Sequence, residues 1–216
     1  DLTNTYSIIA NGGKKIKPNI IKSIYTRQGI KISDNSNKVC KKCILENITN
    51  NIEPPKVLNN LKEVLDPKIA YQITSMMQGV TIRGTAKKLK DLNLNIAGKT
   101  GTTNKNTDTW FIGFTSNLLV GVYVGSDNPT SLGKYETGSK TALPIFKSFI
   151  IDSVNKYEAR PFKAAKGTVM MVVDPLTGQK AKFNSKNTII EVFKKENVVD
   201  GKALYTNSDR LDSNNI

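Results

Sequence analysis

The stretch of sequence that decides the fold is Ala97-Gly98-Lys99-Thr100-Gly101-Thr102-Thr103-Asn104, followed by Asp108-Thr109-Trp110-Phe111-Ile112-Gly113-Phe114. Both runs are rich in Thr, aromatic and β-branched residues, which favour strands. A third β-prone run, Leu118 to Gly125, follows after the short turn Ser116-Asn117. These runs predict an antiparallel meander with strands over 94–102, 109–115 and 118–125.

The segment Lys99-Thr100-Gly101-Thr102 indicates chemistry as well as a strand. On an extended strand it would place an ammonium, two hydroxyls and an open backbone N–H along one edge, and Gly101 would leave room for a substrate backbone. Such an edge suits a peptide carboxylate and a developing oxyanion. A nucleotide-binding P-loop also contains Gly-Lys-Thr, but that pattern requires Gly five residues before Gly98, where Asn93 stands.

The composition of the 216 residues removes several classes of function. Because the chain contains no His, Ser-His-Asp and Cys-His nucleophile systems are excluded, and any chemistry must use Lys, Ser, Thr, Asp or Glu. The net charge is +14, but 28 of the 32 basic residues are Lys and no basic run exceeds two residues. This pattern argues against specific nucleic-acid recognition and fits attraction to an anionic polymer.

Helical patterns flank the predicted meander. Apolar spacing predicts a helix over 2–10, ended by Asn11-Gly12-Gly13, and an N-cap followed by Pro at Asp66-Pro67 starts the strongest helical pattern of the chain. A further helix is predicted over 142–157, and a hairpin over 19–25 and 29–33.

The two cysteines, Cys40 and Cys43, lie in the loop-like segment 33–60. A single C-x-x-C supplies only two of the four ligands of a structural zinc, so we expect no metal site. The polar flanks argue against redox catalysis, and the remaining alternatives are a local disulfide or two free thiols.

The end of the chain has a different pattern. Strand-like runs over 168–173 and 179–183 flank a turn at 174–178, which predicts a hairpin within a C-terminal extension over 158–205. Residues 206–216 are polar and are predicted to be a disordered tail. The main domain is assigned to 1–157, with an insert over 33–60.

Taken in chain order, the runs quoted above resemble the end of the transpeptidase domain of class A penicillin-binding proteins. The same resemblance includes Tyr6-Ser7-Ile8-Ile9-Ala10-Asn11-Gly12-Gly13, Met76-Met77-Gln78-Gly79-Val80, Arg83-Gly84-Thr85, Val120 to Pro129, Thr137-Gly138 and Ala142-Leu143-Pro144-Ile145-Phe146. It covers residues 1 to about 150 and is most similar to α-proteobacterial members. It implies an α/β (α+β) fold of the β-lactamase/transpeptidase type, an antiparallel sheet flanked by helices, of which this chain supplies the C-terminal part.

The resemblance also implies an activity, peptidoglycan D,D-transpeptidation. In that family a Ser attacks the D-Ala-D-Ala end of a stem peptide, releases D-Ala and passes the acyl group to an amine of a second stem peptide. Three motifs cooperate, Ser-x-x-Lys, Ser-x-Asn and Lys-Thr-Gly, and only the third is securely present. By position, Lys99 and the backbone N–H of Thr102 are implied to be catalytic, and Thr100, Gly101, Thr102 and Thr103 are implied to bind substrate, with no cofactor and no metal.

Three segments match the missing motifs by sequence alone: Ser131-Leu132-Gly133-Lys134, Ser153-Val154-Asn155-Lys156 and Ser33-Asp34-Asn35. All three stand in the wrong order relative to Lys99 or to the Asn11-Gly12-Gly13 turn. We therefore expect the nucleophile to precede Asp1 in a longer polypeptide, and this chain alone to be inactive.

The implied partners are stem peptides, β-lactams and an upstream glycosyltransferase domain, without nucleic acid. The implied location is the periplasm, with an upstream helix as inner-membrane anchor. The alternative is a non-catalytic remnant or split-chain module that binds cell-wall glycan or a protein partner. A serine β-lactamase is a third hypothesis, disfavoured by the long insert and the C-terminal hairpin.

Overall fold

The computed structural model describes residues 1–35, 38–41, 56–154, 159–199 and 202–203. In chain order its elements are α1 (Leu2–Ala10), β1 (Ser23–Tyr25), β2 (Lys31–Asp34), β3 (Lys38–Lys41), β4 (Lys56–Asn59), α2 (Pro67–Ile82), a 3-10 helix (Lys87–Leu92), β5 (Ala97–Thr102), β6 (Asp108–Phe114), β7 (Leu119–Gly125), α3 (Ala142–Ser153), β8 (Thr168–Val173), β9 (Ile189–Lys194), a second 3-10 helix (Lys195–Asn197), β10 (Val198–Val199) and β11 (Lys202–Ala203).

The central sheet consists of β5, β6 and β7 in that order, and both pairs are antiparallel. Lys99 lies opposite Ile112 and Thr102 opposite Thr109 in a register without shifts. The predicted meander is confirmed, with its first strand beginning at Ala97 rather than at residue 94. Among the strands that the structure describes, β5 has a partner on one side only.

Helices cover both faces of this sheet. Because side chains alternate along a strand, Phe111 and Phe114 of β6 point to opposite faces. Phe111 packs edge-on against Phe146 of α3, with ring centroids 4.7 Å apart, in a cluster that also includes Leu89 and Ile150. Phe114 lies in a second cluster, with Met77 of α2 and partly buried side chains of α1. The two clusters fix the sheet between α3 on one side and α1 and α2 on the other.

Both predicted helix signals are confirmed. The N–H groups of Gly12 and Gly13 donate to carbonyls of the last turn of α1, and their φ angles of 64° and 90° explain the two glycines. At the start of α2, the Lys68 N–H donates to Asp66 Oδ1 at 2.7 Å. Asp66 is therefore a true N-cap, and Pro67 occupies the first helical position.

The predicted C-terminal hairpin has a different second strand. β8 pairs with β9 over 189–194, whereas the predicted partner over 179–183 makes one isolated bridge, between Val173 and Lys180. The turn at 174–178 forms as expected, since Asp174 Oδ1 accepts from Leu176 N–H. However, a second turn at 182–185 then diverts the chain and leaves the Phe183 side chain fully exposed. The apolar residues of β9 supply the cross-strand packing that 179–183 lacks.

Two further predictions need correction. The loop-like segment 33–60 contains a two-stranded sheet, β3 with β4, in which Cys40 lies opposite Val57. Cys43 lies outside the described residues, and with it the choice between a local disulfide and two free thiols. The helix predicted over 142–157 ends at Ser153, and the predicted tail, 206–216, also lies outside the described part of the chain.

β9 and the 3-10 helix that follows it contact α2. At the N-terminal end of α2, Lys68 pairs with Glu196 at 2.6 Å and Asp66 with Lys194 at 3.5 Å. Farther along, Gln72 Nε2 donates to the Val192 carbonyl at 3.0 Å. No helix in the described ranges is both long and apolar enough to cross a membrane.

Candidate active site

The outer edge of β5 carries the candidate site. The Thr103 N–H donates to the Asp108 carbonyl at 3.0 Å, which makes Thr103 a hydrogen-bonded partner of Asp108 just beyond the strand. Since hydrogen-bonded and non-hydrogen-bonded pairs alternate in an antiparallel ladder, the backbone groups of Lys99 and Gly101 face β6. The N–H and carbonyl of Thr100 and Thr102 therefore point away from β6, toward the open edge.

Lys99 confirms this orientation independently. Its side chain is exposed, and its Nζ donates to the Thr100 carbonyl at 2.7 Å. The ammonium thus lies over the edge to which the Thr100 carbonyl and the Thr102 N–H are directed. One cation and one free N–H donor on a single open edge can hold a carboxylate and stabilise a developing oxyanion.

Thr100 and Thr102 lie opposite Phe111 and Thr109 of β6. Because side chains of opposite residues share a face, the two hydroxyls lie on the face of the sheet that α3 covers. Thr100 Oγ1 lies 3.0 Å from Thr85 Oγ1, in the turn after α2. Thr102 Oγ1 accepts from the Gly138 N–H at 3.1 Å. Segments remote in sequence therefore contact both hydroxyls, although sequence analysis attached no site role to Thr85 or Gly138.

At Gly138 the segment before α3 passes very close to the backbone of β5 and β6. A Cβ at residue 138 would overlap the carbonyl oxygens of Trp110 and Gly101. Only glycine permits the segment before α3 to cross the β5–β6 pair at this distance. The crossing braces the strand end that carries Thr102.

The structure assigns Thr103 to the turn between β5 and β6. Its Oγ1 accepts from the N–H groups of Thr107 and Asp108 at 3.1 and 2.9 Å and lies 2.9 Å from Thr107 Oγ1. The Thr103 hydroxyl therefore closes the turn, and its geometry lends no support to the substrate contact predicted for it.

Asn106 also shapes this end of the site, and sequence analysis missed it. Its side-chain Nδ2 donates to the carbonyls of Gly133 and Lys134 at 3.0 and 2.9 Å, and its main-chain carbonyl accepts from the Leu132 N–H at 2.8 Å. With φ at 53°, it adopts the left-handed conformation that Asn tolerates better than most residues. The β5–β6 turn is thereby tied to the loop that precedes α3.

Asp108 and Trp110 contact the neighbouring strand β7. The Tyr123 hydroxyl donates to Asp108 Oδ1 at 2.6 Å, and the Trp110 and Tyr123 rings lie 4.9 Å apart. This hydrogen bond to the Asp108 carboxylate raises the pKa of Tyr123.

None of the three candidate serines, Ser33, Ser131 and Ser153, lies on β5 or on its partner β6. Ser131 accepts from the Gly133 N–H at 3.2 Å within its own loop, and Ser33 lies opposite Ile24 in the β1–β2 hairpin. Ser153 lies beside Thr115 and Leu118, at the end of the sheet opposite to Thr102. Within the described ranges, no group of three or more Cys, Asp or Glu residues could hold a metal ion.

An antiparallel sheet covered by helices on both faces, with a Lys-Thr-Gly-Thr strand at its edge, is the fold that the resemblance to transpeptidases implies. Residues 1–150 match the family model described as the penicillin-binding protein transpeptidase domain. The chain belongs to this family.

Curated relatives agree with the family model. The chain is 39% identical over 214 residues to penicillin-binding protein 1A of Rickettsia bellii, which covers 99% of this chain and 26% of the relative. It is 42% identical over 200 residues to penicillin-binding protein 1A of Rickettsia typhi, covering 91% of this chain and 25% of the relative. The chain thus spans about a quarter of the length of the curated relatives it matches.

A solved structure confirms the fold class. The crystal structure of penicillin-binding protein 1A from Haemophilus influenzae superposes with a TM-score of 0.71 at 24% identity, covering 95% of this chain and 32% of that chain. The predicted α/β transpeptidase fold is confirmed, and so is the resemblance on which it was based.

Proposed function

We propose that this chain supplies the Lys-Thr-Gly part of a peptidoglycan D,D-transpeptidase active site. The observation that carries the proposal is the open edge of β5, where the Lys99 ammonium lies 2.7 Å from the Thr100 carbonyl and the Thr102 N–H is directed outward. Family membership and the relatives named penicillin-binding protein 1A support the same reading.

The substrate we assign to this edge is the D-Ala-D-Ala end of a stem peptide. An extended peptide can add to the free edge of β5, since the Thr100 carbonyl and Thr102 N–H are directed away from β6. Gly101 has no side chain to hinder this approach. The terminal carboxylate would be bound by the Thr100 and Thr102 hydroxyls beside the positive charge of Lys99.

The proposed reaction has two acyl-transfer steps. A Ser hydroxyl attacks the carbonyl of the penultimate D-Ala, the peptide C–N bond breaks, and D-Ala leaves with the proton that Ser gave up. The amine of a second stem peptide then attacks the acyl-Ser ester, forms the cross-link and returns a proton to Ser. The Thr102 N–H donates to the oxyanion in both steps, and removing one such donor costs about 2.7–4 kcal/mol of transition-state stabilisation.

The proposal assigns the nucleophilic Ser and the Ser-x-Asn motif to a segment encoded before Asp1. Ser33 lies in the β1–β2 hairpin and Ser153 lies at the end of the sheet opposite to Thr102, which supports this assignment. A β-lactam would acylate the same Ser. The proposal further includes an upstream glycosyltransferase domain and a periplasmic location with an upstream membrane anchor.

Fluorescent penicillin tests the proposal in two proteins, the 216-residue chain and the full-length polypeptide that contains it. We expect covalent label on the full-length polypeptide and none on the 216-residue chain. Label on the shorter chain would place the nucleophile among its own serines. If neither protein is labelled although thermal melting shows that both are folded, the non-catalytic binding module is favoured.

A further inference from the structure

We infer that Thr85 is a positioning residue of this site, whose hydroxyl donates to Thr100 Oγ1 and so commits the Thr100 proton to the carboxylate of the bound peptide. The inference rests on the proposed function and names a further part of the same site.

The contact joins two segments that are separate in the fold. Thr85 lies in the turn that follows α2, and Thr100 lies in the middle of β5, yet their Oγ1 atoms are 3.0 Å apart. Both side chains retain access to solvent. The Thr100 hydroxyl is therefore reachable by a substrate while Thr85 holds it from one side.

The number of protons decides the direction of the bond. A hydroxyl has one proton to donate and two lone pairs to accept with, whereas an ionised carboxylate only accepts. When Thr100 donates to a substrate carboxylate, its oxygen can meet Thr85 only as an acceptor. Thr85 must then be the donor. A residue that cannot donate at position 85 would leave the Thr100 hydroxyl free to rotate, so that its proton would no longer be held toward the carboxylate.

The backbone around Thr85 is fixed tightly enough for this role. The Gly84 N–H donates to the Gly79 carbonyl at 3.1 Å, and the Ala86 N–H donates to the Val80 carbonyl at 3.1 Å. Ala86 is completely buried, and a Cβ at Gly84 would lie 2.8 Å from the Val80 Cα. Thr85 is thus held between an anchored residue and a glycine that the close packing requires.

A second anchor acts on the same turn from the C-terminal hairpin. The Arg83 guanidinium lies over Gly79, where a Cβ would come within 2.8 Å of it, and pairs with Glu191 of β9 at 2.8 Å. In addition, Thr81 Oγ1 donates to the Ile96 carbonyl at 2.7 Å, which ties the end of α2 to the residue before β5. These contacts fix the distance between the turn and β5 that the Thr85–Thr100 hydrogen bond needs.

Two substrates separate a positioning role from a general one. In the full-length polypeptide, we compare the acylation rate of Thr85→Val with that of the native protein, using a penicillin and its methyl ester. Val has nearly the shape of Thr but no donor. We expect about a tenfold loss with the penicillin, the size of one hydrogen bond to a charged group, and little loss with the ester. Thr85→Ser, which keeps the donor, should restore the rate with the penicillin.

The outcomes distinguish this inference from the proposed function. If Lys99→Ala lowers acylation but Thr85→Val lowers it equally for penicillin and ester, or not at all, then Thr85 has no positioning role and the proposed function stands. If Lys99→Ala leaves acylation by both substrates unchanged, the proposed function itself is wrong. The comparison requires that the melting temperature of Thr85→Val lie within about 2 °C of that of the native protein. Thr85→Ala serves as the second variant if Val disturbs folding.

Discussion

The guanidinium of Arg83 and the carboxylate of Glu191, 108 residues apart in sequence, form an ion pair of 2.8 Å between the end of α2 and the middle of β9. The pair links the C-terminal hairpin to the turn that presents Thr85 to Thr100. The hairpin is therefore part of the support of the candidate site and not a loosely attached appendage.

Removing this ion pair should lower stability modestly. The Arg83 and Glu191 side chains are 42% and 22% exposed, so solvent screens the attraction, and we expect Glu191→Gln to cost about 0.5–1 kcal/mol in denaturant unfolding. The matched control is Asp91→Asn, since Asp91 is 81% exposed and lies 3.9 Å from Lys147. Equal effects of the two substitutions would show that the Arg83 contact has no special role.

Acid should loosen the contact between α2 and the hairpin. The Lys68 N–H and the nearby Lys194 lower the pKa of Asp66, and the hydrogen bond from Lys68 lowers the pKa of Glu196. A carboxylate with a lowered folded-state pKa contributes stability above its ordinary value, near 4, and loses that contribution as the pH falls through and below it.

We therefore expect the melting temperature to fall as the pH is lowered from about 5 to about 3. Asp66→Asn is the matched variant, because Asn keeps the helix cap but does not titrate. Its melting temperature should be lower than native at neutral pH and should depend less on pH. A variant with the native pH dependence would contradict the role given to Asp66.

The sheet face under α3 should be sensitive to loss of aromatic volume. Phe146 is completely buried against Phe111, so Phe146→Ala should cost about 3–5 kcal/mol through lost burial and a cavity. Ile145, the preceding residue, is 52% exposed. Ile145→Ala should change the free energy of unfolding by no more than about 0.5 kcal/mol, and a comparable loss at both positions would contradict the described packing.

Asn106 should control the loop that borders the site. Asn106→Asp keeps the shape of the side chain but removes both donors to Gly133 and Lys134, so we expect a loss of about 1–2 kcal/mol. The readout is the hydrogen exchange of the Leu132 N–H, which donates to the main-chain carbonyl of Asn106 and is protected only while the loop stays against the turn. Faster exchange at Leu132 is expected, and unchanged exchange would mean that the loop is held by other contacts.

Local signals explain what the sequence predicts well. Asn11-Gly12-Gly13 ends α1, and Asp66-Pro67 starts α2, because positive φ angles and helix caps depend on residues close in sequence. The β5–β7 meander is predicted for the same reason, since its strands are consecutive and joined by short turns.

The features that sequence misses depend on contacts between distant residues. The turn at 174–178 has typical hairpin chemistry, yet the partner of β8 is β9, because Ile189, Val192 and Phe193 supply apolar contacts that 179–183 cannot. At the site, Thr85 meets Thr100 and Gly138 meets Thr102 only once α2 and the segment before α3 have packed on the sheet. No periodic or capping pattern marks such residues.

The most direct test of the central claim, that the β5 edge binds the substrate carboxylate beside Lys99, is the rate of acylation of full-length Lys99→Ala by fluorescent penicillin. We predict a rate reduced by about a hundredfold or more, with native thermal melting, because Lys99 is exposed and does not contribute to the core. Lys105→Ala, at an exposed residue of the β5–β6 turn, should keep the native rate. A native acylation rate in Lys99→Ala would contradict the account.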